Sequence, residues 1–195
     1  MQDITNLPLD EALEKFINLK TAMNKSEHTI RYYQERFTWF CDFIAQKGIE
    51  FTSQINEEHI TDYIISKRKK SPNLSDHTIN NHLRAIRAVL YYFMDKGYTE
   101  PFHIPLIAAK EIPKEGYTKY ELEKLIEKPD IKKCNFPQYR NWVVICHLLA
   151  SGNRSRTIRF IRNCHVKLDE RIIILDEVKN NEGYESLLTT CISQY

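Results

Sequence analysis

Glycine is scarce in this sequence, with five residues among 195, and proline contributes only seven more. Because these two residues mark the turns between short strands, their scarcity disfavours a fold made of many short strands. Apolar residues make up 42% of the chain, which is enough for a sizeable core, and they recur mostly at helical spacing. The composition therefore predicts a mainly α-helical protein of one large or two small domains.

Cysteine is also infrequent, and its five positions form no C-x-x-C pair. The odd number argues against a disulfide framework, and the missing pairs argue against a zinc knuckle. Cys146-His147 and Cys164-His165 are the only Cys-His neighbours, and adjacent side chains on a helix point in different directions. We therefore predict neither a metal site nor a cofactor.

Long apolar runs are missing as well. No stretch approaches the roughly 20 residues that a membrane-spanning helix requires, and no signal peptide is recognisable at the start. The charges nearly cancel, with 28 basic against 26 acidic residues, so the net charge gives no indication of a polyanionic partner. We expect a soluble, cytoplasmic protein without membrane contact, and any nucleic-acid site must be argued from local patterns.

Four amphipathic segments fill the first half of the chain. The last three begin at residues that favour the helix N-cap, Ser26, Asn56 and Ser75, and Gly48 and Gly97 follow the second and fourth segments. The apolar stripes of the four segments are Leu9, Leu13, Phe16, Ile17 and Leu19; Ile30, Tyr33, Phe37, Phe40, Cys41 and Ile44; Ile60, Tyr63 and Ile64; and Ile79, Leu83, Ile86, Leu90 and Phe93. Short connections between helices of this length predict a compact four-helix bundle over residues 1–98.

The stretch 99–116 carries Pro101, Pro105, Pro113 and Gly116 and has little hydrophobic periodicity. Such a composition is typical of a linker. We therefore place a domain boundary there, between a domain at 1–98 and a second one at 117–195.

Two helices open the second domain. Thr118 and Glu121 have the spacing of a capping box at the start of the first helix. The residues of that helix predicted to face inward are Leu122, Leu125 and Ile126. The segment 137–150 is nearly all apolar, which predicts a central helix.

This apolar run ends at Ser151-Gly152-Asn153-Arg154, where a second helical stretch begins at once. A guanidinium at such a junction suits bidentate contact with a phosphate, beside the free N–H groups of the new helix. Three more arginines follow closely, namely Arg156, Arg159 and Arg162. No acidic residue accompanies them on this helix, which leaves two alternatives open: phosphate binding, or salt bridges to glutamates elsewhere such as Glu121 or Glu123.

A β-hairpin is predicted after the arginine helix. Residues 171–175 and 184–188 have the pattern of two strands around turn residues at 180–183. Lys179 stands at the entrance of the turn. By itself, a lysine beside a hairpin turn ordinarily serves solubility.

The fourth helix of the first domain has a polar face opposite its apolar stripe. Asn80, Arg84 and Arg87 fall at i, i+4 and i+7, with His77 and Asn81 beside them. Asn and Arg have the side chains best shaped to bind adenine and guanine edges in a major groove. The groups suited to DNA phosphates lie on the second and third helices and are Thr29, Arg31, Tyr32, Lys67, Arg68, Lys69 and Lys70. The alternative interpretation is a polar face that is merely solvated.

This order of parts resembles the tyrosine recombinase, or phage integrase, family. Residues 26–33 and 74–83 are similar to helix starts of the family's N-terminal SAM-like core-binding domain. Ser-Gly-x-Arg, followed by a strand, a hairpin lysine and a second strand, is similar to the first part of its catalytic domain. The resemblance implies a mainly α protein: a four-helix SAM-like bundle, then a partial α+β catalytic domain with a short β-hairpin.

The resemblance also implies roles for individual residues. Arg154 would bind the scissile phosphate, and Lys179 would donate a proton to the leaving oxygen. The acidic residue usual three positions after the arginine is Thr157 here. No His-x-x-Arg follows Arg154, and Tyr195 lies too close to Arg154 to match the family's nucleophilic tyrosine.

We therefore expect a DNA-binding fragment or truncated form of a site-specific recombinase, whose intact relatives integrate and recombine DNA through a phosphotyrosine. It should bind double-stranded DNA, be catalytically inactive alone, and form a homo-oligomer on DNA when full length. One alternative is a degenerate relative that acts only as a DNA-binding regulator. The other is a helical protein-interaction domain with no nucleic-acid role.

Overall fold

The computed structural model describes residues 5–110, 113, 115–175 and 183–187. The chain divides into two compact units, Met1–Ile112 and Pro113–Tyr195. Each unit has its own arrangement of helices.

The first unit is the four-helix bundle that the sequence predicts. Its helices are α1 (Leu9–Ala22), α2 (Glu27–Ala45), α3 (Glu57–Lys70) and α4 (Asp76–Asp95). The predicted N-caps of the last three are confirmed, because the side chains of Ser26, Asn56 and Ser75 accept hydrogen bonds from backbone N–H groups of the first turn. These bonds satisfy donors that a helix leaves free at its start, so each helix begins at a defined residue.

Helix α4 lies at the centre of this bundle. Its apolar stripe is fully buried and consists of Ile79, Leu83, Ile86, Leu90 and Phe93. The ring of Phe93 meets that of Phe37 on α2 edge to face, with 5.5 Å between ring centroids. Burial of each such side chain contributes about 1.5–3 kcal/mol, so this stripe contributes substantially to the unit's stability.

The first part of the predicted linker packs against the bundle instead of leaving it. The Thr99 hydroxyl donates to the Thr52 carbonyl over 2.7 Å, and Ile104 is fully buried in the core. The backbone of Ile107 exchanges two hydrogen bonds with the Asn80 side chain, one donated by each residue. Residues 99–110 therefore form a strap on the first unit, a segment that its prolines and weak periodicity do not reveal.

Within its described residues, the second unit holds three α-helices and a small sheet. The elements are α5 (Lys119–Leu125), α6 (Phe136–Ser151), α7 (Ser155–Arg159), β1 (Val166–Lys167), β2 (Ile172–Leu175) and β3 (Tyr184–Leu187). The sheet is antiparallel in the order β1-β2-β3, with Ile172 opposite Leu187 and Leu175 opposite Tyr184. The predicted hairpin strands are thus confirmed, whereas the two-residue β1 is too short to leave a pattern in the sequence.

Several side chains of the second unit are more exposed than the sequence predicts. Leu125 and Ile126, expected to face inward from α5, are 36% and 43% exposed. Helix α6, expected to be central, buries Trp142 but leaves Leu149 48% exposed. Apolar composition indicates which surface could be buried, but it does not supply the neighbours that bury it.

Within the parts of the chain that the structure describes, no helix is long and apolar enough to cross a membrane.

Candidate nucleic-acid interface

Tyr32 joins α2 and α4, two of the three helices on which the sequence places DNA contacts. Its hydroxyl donates to the backbone carbonyl of Asn81 on α4 over 2.5 Å. Burial raises the pKa of this phenol, and the nearby charges of Arg36 and Arg84 counteract part of the rise. Tyr32 is therefore a neutral donor at physiological pH, and basic residues of α2 and α4 converge around it.

A shallow concavity lies at this junction of α2 and α4. It is lined by His28, Arg31, Tyr32, Glu35, Arg36 and Asn81. Arg36 pairs with the neighbouring Glu35 over 2.6 Å, and its guanidinium carbon lies 5.2 Å from the centre of the Tyr32 ring. Cationic and aromatic groups thus share one surface, a combination suited to a polyanion.

Trp39 extends this surface from α2 to α3, and the sequence analysis missed it. The guanidinium carbon of Arg36 lies 5.1 Å from the Trp39 ring, and the Lys67 ammonium lies 5.4 Å from it. Trp39 is nevertheless 42% exposed. We call Arg31, Arg36, Trp39, Lys67 and Lys70 the cationic strip. The spacing Arg36-x-x-Trp39 places both side chains on one helix face and could have indicated it.

His82 supports the strip from below. Its ring lies 5.2 Å from that of Trp39, and its Nδ1 is 3.3 Å from the Tyr63 hydroxyl. Burial lowers the pKa of His82 to about 4, with further lowering by the charges of Lys67 and Arg36. The imidazole is therefore neutral at physiological pH and adds packing without adding charge.

The pKa of the Lys67 ammonium is lowered by its partial burial and then by the neighbouring charge of Lys70. Both causes disfavour a positive charge that has no counter-ion. An anion placed beside these two lysines would reverse the effect. We therefore expect the positive charges of the strip to attract phosphate.

The predicted contact residues of the first unit differ in their availability. The exposed side chains include Arg31, Lys69, Lys70, Asn81 and Arg84. Thr29 is half-buried and bonded to the Ser26 cap. The others already have partners: Arg68 pairs with Asp76 over 2.7 Å, Arg87 stacks on Tyr91, and the Nε2 atom of His77 lies 3.3 Å from the Lys110 carbonyl oxygen.

Asn80 is the clear correction. It is only 4% exposed, and its side chain donates to the Ile107 carbonyl and accepts from the Ile107 N–H, both over 2.8 Å. Both polar atoms of its amide are engaged inside the first unit, so Asn80 is not available to contact base edges as the sequence predicts. The spacing of Asn80 from Arg84 suggests a common polar face, but the strap covers the Asn80 end of it.

In the second unit, Arg154 occupies the predicted helix junction. Helix α6 ends at Gly152 with a φ of +64°, the left-handed conformation that favours glycine, and Arg154 is the residue that precedes α7. Arg154 is exposed. Among the described residues, no salt bridge involves Arg154, Arg156 or Arg159, and Glu123 pairs with Lys119 instead.

Asn153 and its neighbours form a hydrogen-bonded network that sequence reasoning did not detect. The side chain of Asn153 contacts Tyr184 and Ser186 on β3 and His147 on α6. Its contacts on β3 lie more than 30 residues away along the chain, so no local pattern indicates them. Lys179 and Tyr195 lie outside the described residues.

Comparison with known proteins shows which family model and which relative the sequence matches. The family described as phage integrase, N-terminal SAM-like domain, matches residues 13–97. Tyrosine recombinase XerC from Oceanobacillus iheyensis is 26% identical over 129 residues, which cover 63% of this chain and 41% of that protein. The chain thus matches about two fifths of this relative's length.

Solved structures of recombinases share the fold. The Tn1549 transposon integrase in complex with a circular intermediate DNA superposes with a TM-score of 0.70 at 15% identity, covering 96% of this chain and 63% of that one. The XerH site-specific recombinase bound to palindromic difH substrate gives a TM-score of 0.55 at 21% identity, covering 91% and 52%. Residues 13–97 therefore match the integrase SAM-like domain, and the fold of the chain is similar to that of solved integrase and recombinase structures.

Proposed function

We propose that this chain is a DNA-binding fragment or truncated form of a site-specific tyrosine recombinase, and that its first unit binds duplex DNA through α2, α3 and α4. The observation that carries the proposal is the convergence of Arg31, Arg36 and Arg84 around Tyr32, where α2 and α4 meet. The DNA present in the integrase and XerH structures supports it.

The cationic strip and the exposed face of α4 have separate tasks in this proposal. The strip contacts phosphates, which fixes the position of the protein on the duplex without reading sequence. Arg84 and Asn81, both open to solvent, remain as the residues that contact base edges. Because Asn80 is occupied by the strap, base reading rests on fewer groups than the sequence analysis predicted.

The second unit supplies phosphate-binding groups in the intact enzyme. Arg154, exposed at the α6–α7 junction, holds the scissile phosphate, and Lys179 donates a proton to the leaving oxygen. These two groups stabilise charge but form no covalent bond, and losing one such group costs about 100-fold or more in comparable sites. We expect the 195 residues alone to be inert. After incubation with a nicked duplex, a denaturing gel should show no protein–DNA adduct, and an adduct lost in Tyr195→Phe would contradict this assignment.

Titration of a labelled duplex at two salt concentrations tests DNA binding. Non-specific affinity should lie at roughly 10⁻⁴–10⁻⁶ M and should fall as salt rises. Arg36→Ala should weaken binding and reduce the salt dependence by about one phosphate contact. Lys96→Ala, a charge change at the far end of α4, is the matched control. Affinity that does not change with salt would count against the proposal.

A further inference from the structure

We infer that Asn153 is a positioning residue that fixes Arg154 relative to the β2–β3 hairpin. The inference rests on the proposed role of Arg154 in phosphate binding. Asn153 immediately precedes Arg154 in the chain, and its side chain points away from solvent toward β3. The contacts that fix Asn153 therefore also fix the backbone position from which the Arg154 side chain extends.

The Asn153 amide is bonded through both of its polar atoms. Its Oδ1 accepts a hydrogen bond from the Tyr184 hydroxyl over 2.5 Å, and its Nδ2 donates to the buried Ser186 hydroxyl over 2.9 Å. Nδ2 also lies 3.4 Å from Nε2 of His147. Burial lowers the pKa of His147, so its ring is neutral and Nε2 can accept. Three contacts from two elements leave this amide one orientation.

The backbone that leads into Asn153 and Arg154 is also constrained. The Ser151 hydroxyl donates to the His147 carbonyl over 2.6 Å and accepts from the Asn153 N–H over 3.2 Å. Gly152 completes the turn in the left-handed conformation. The turn from α6 into α7 is thus held both to the end of α6 and to β3.

Arg154 itself depends on this frame. Its guanidinium makes no hydrogen bond or salt bridge to any residue that the structure describes. Among the described residues, its position is therefore set by the backbone from which it extends. Strand β3 pairs with β2 along its whole length, so Asn153 ties the backbone at Arg154 to the sheet of the second unit. Loss of these bonds would displace Arg154, and errors of about 1 Å in the position of such a group are costly.

A double-mutant cycle on duplex affinity tests the inference with the whole chain. Arg154→Ala should weaken binding about tenfold, the size of one charge-assisted contact. Asn153→Ala should weaken binding about threefold in the native background and have no effect in the Arg154→Ala background, because it acts only through Arg154. Tyr184→Phe, which removes one hydroxyl, should show the same dependence on Arg154. Asn163→Ala, an exposed asparagine of the same unit, is the matched control.

The cycle separates positioning from a general structural role. If Asn153→Ala and Arg154→Ala weaken binding additively, Asn153 acts independently of Arg154 and the inference is overturned. If Arg154→Ala weakens binding but Asn153→Ala and Tyr184→Phe do not, the inference alone fails. If Arg154→Ala has no effect, the proposed phosphate contact and the inference fail together. Thermal melts of each variant establish that the second unit is folded; should Asn153→Ala unfold it, Tyr184→Phe decides the outcome.

Discussion

The two units of this chain differ in how completely they bury their apolar residues. In the first unit, sixteen residues form one cluster, and most of them have no exposed surface. In the second, Phe136, Leu168 and Leu187 remain more than 70% exposed. The first unit therefore surrounds its own core, whereas the described part of the second presents apolar surface that its own neighbours do not cover.

This difference has a physical consequence for the proposed DNA contacts. The cationic strip lies over a packed core that fixes the spacing between α2, α3 and α4. Arg154 lies on a turn that is held mainly by hydrogen bonds of Asn153 and Ser151. Packing resists displacement in all directions, whereas a few hydrogen bonds resist it along particular ones. We expect the first unit to bind DNA as a rigid surface and the second to be the more easily perturbed.

The largest expected difference between the units lies in core substitutions. Phe93→Ala removes a fully buried ring that meets Phe37 and Tyr98, and it should lower the free energy of unfolding of the first unit by about 3–5 kcal/mol. Leu168→Ala in the second unit, where Leu168 is 72% exposed, should change stability by less than about 0.5 kcal/mol. Urea unfolding followed by circular dichroism measures both. Equal losses in the free energy of unfolding for the two variants would contradict the difference in burial between the two units.

A smaller difference in stability should separate substitutions of Asn80 and Arg84, which lie one turn apart on α4. Asn80→Ala leaves the Ile107 N–H and carbonyl without their partner, which should cost about 2 kcal/mol and expose residues 99–110 to proteolysis. Arg84→Ala should leave stability nearly unchanged and weaken DNA binding. Melting temperature, cleavage rate within the strap and duplex affinity distinguish the two variants. A melting temperature unchanged by Asn80→Ala would show that the strap is not anchored there.

Sequence patterns predicted the local features of both units. The caps at Ser26, Asn56 and Ser75, the Gly152 terminus and the two main strands all depend on residues close in the chain. Such features follow from backbone chemistry that any similar segment obeys. The four-helix bundle follows in turn, because its helices have one apolar face each.

The missed features depend on contacts between distant residues. Asn80 meets Ile107 across 27 positions, and Asn153 meets Tyr184 across 31. An asparagine on a helix has the same sequence signature whether its amide contacts solvent, a strap or a base. Trp39 was missed for a different reason, since its ring was counted with neither the apolar stripe nor the basic residues although it contacts Arg36 and Lys67.

The smallest effect concerns acid, and it sharpens the comparison because it tests whether the ring beneath Trp39 lies in the closed core of the first unit. The pKa of His82 is about 4 in the folded protein against about 6.5 for an ordinary histidine. Below pH 6.5 the unfolded chain therefore binds a proton that the folded first unit does not, so stability falls as the pH drops from about 6.5 to about 4 and this contribution changes no further below that. Screening at this partly accessible site limits the loss to about 1 kcal/mol.

His82→Gln should flatten that part of the pH profile, whatever its effect on the absolute stability. His28→Gln, at an exposed position on α2, is the control for replacing a histidine by glutamine. Urea unfolding at several pH values between 4 and 7 makes the measurement. A profile equally steep in the native chain and in His82→Gln would mean that His82 titrates normally, and the ring beneath Trp39 would then carry a charge beside Arg36 and Lys67. In that case the strip would become more cationic on acidification, and DNA binding would strengthen.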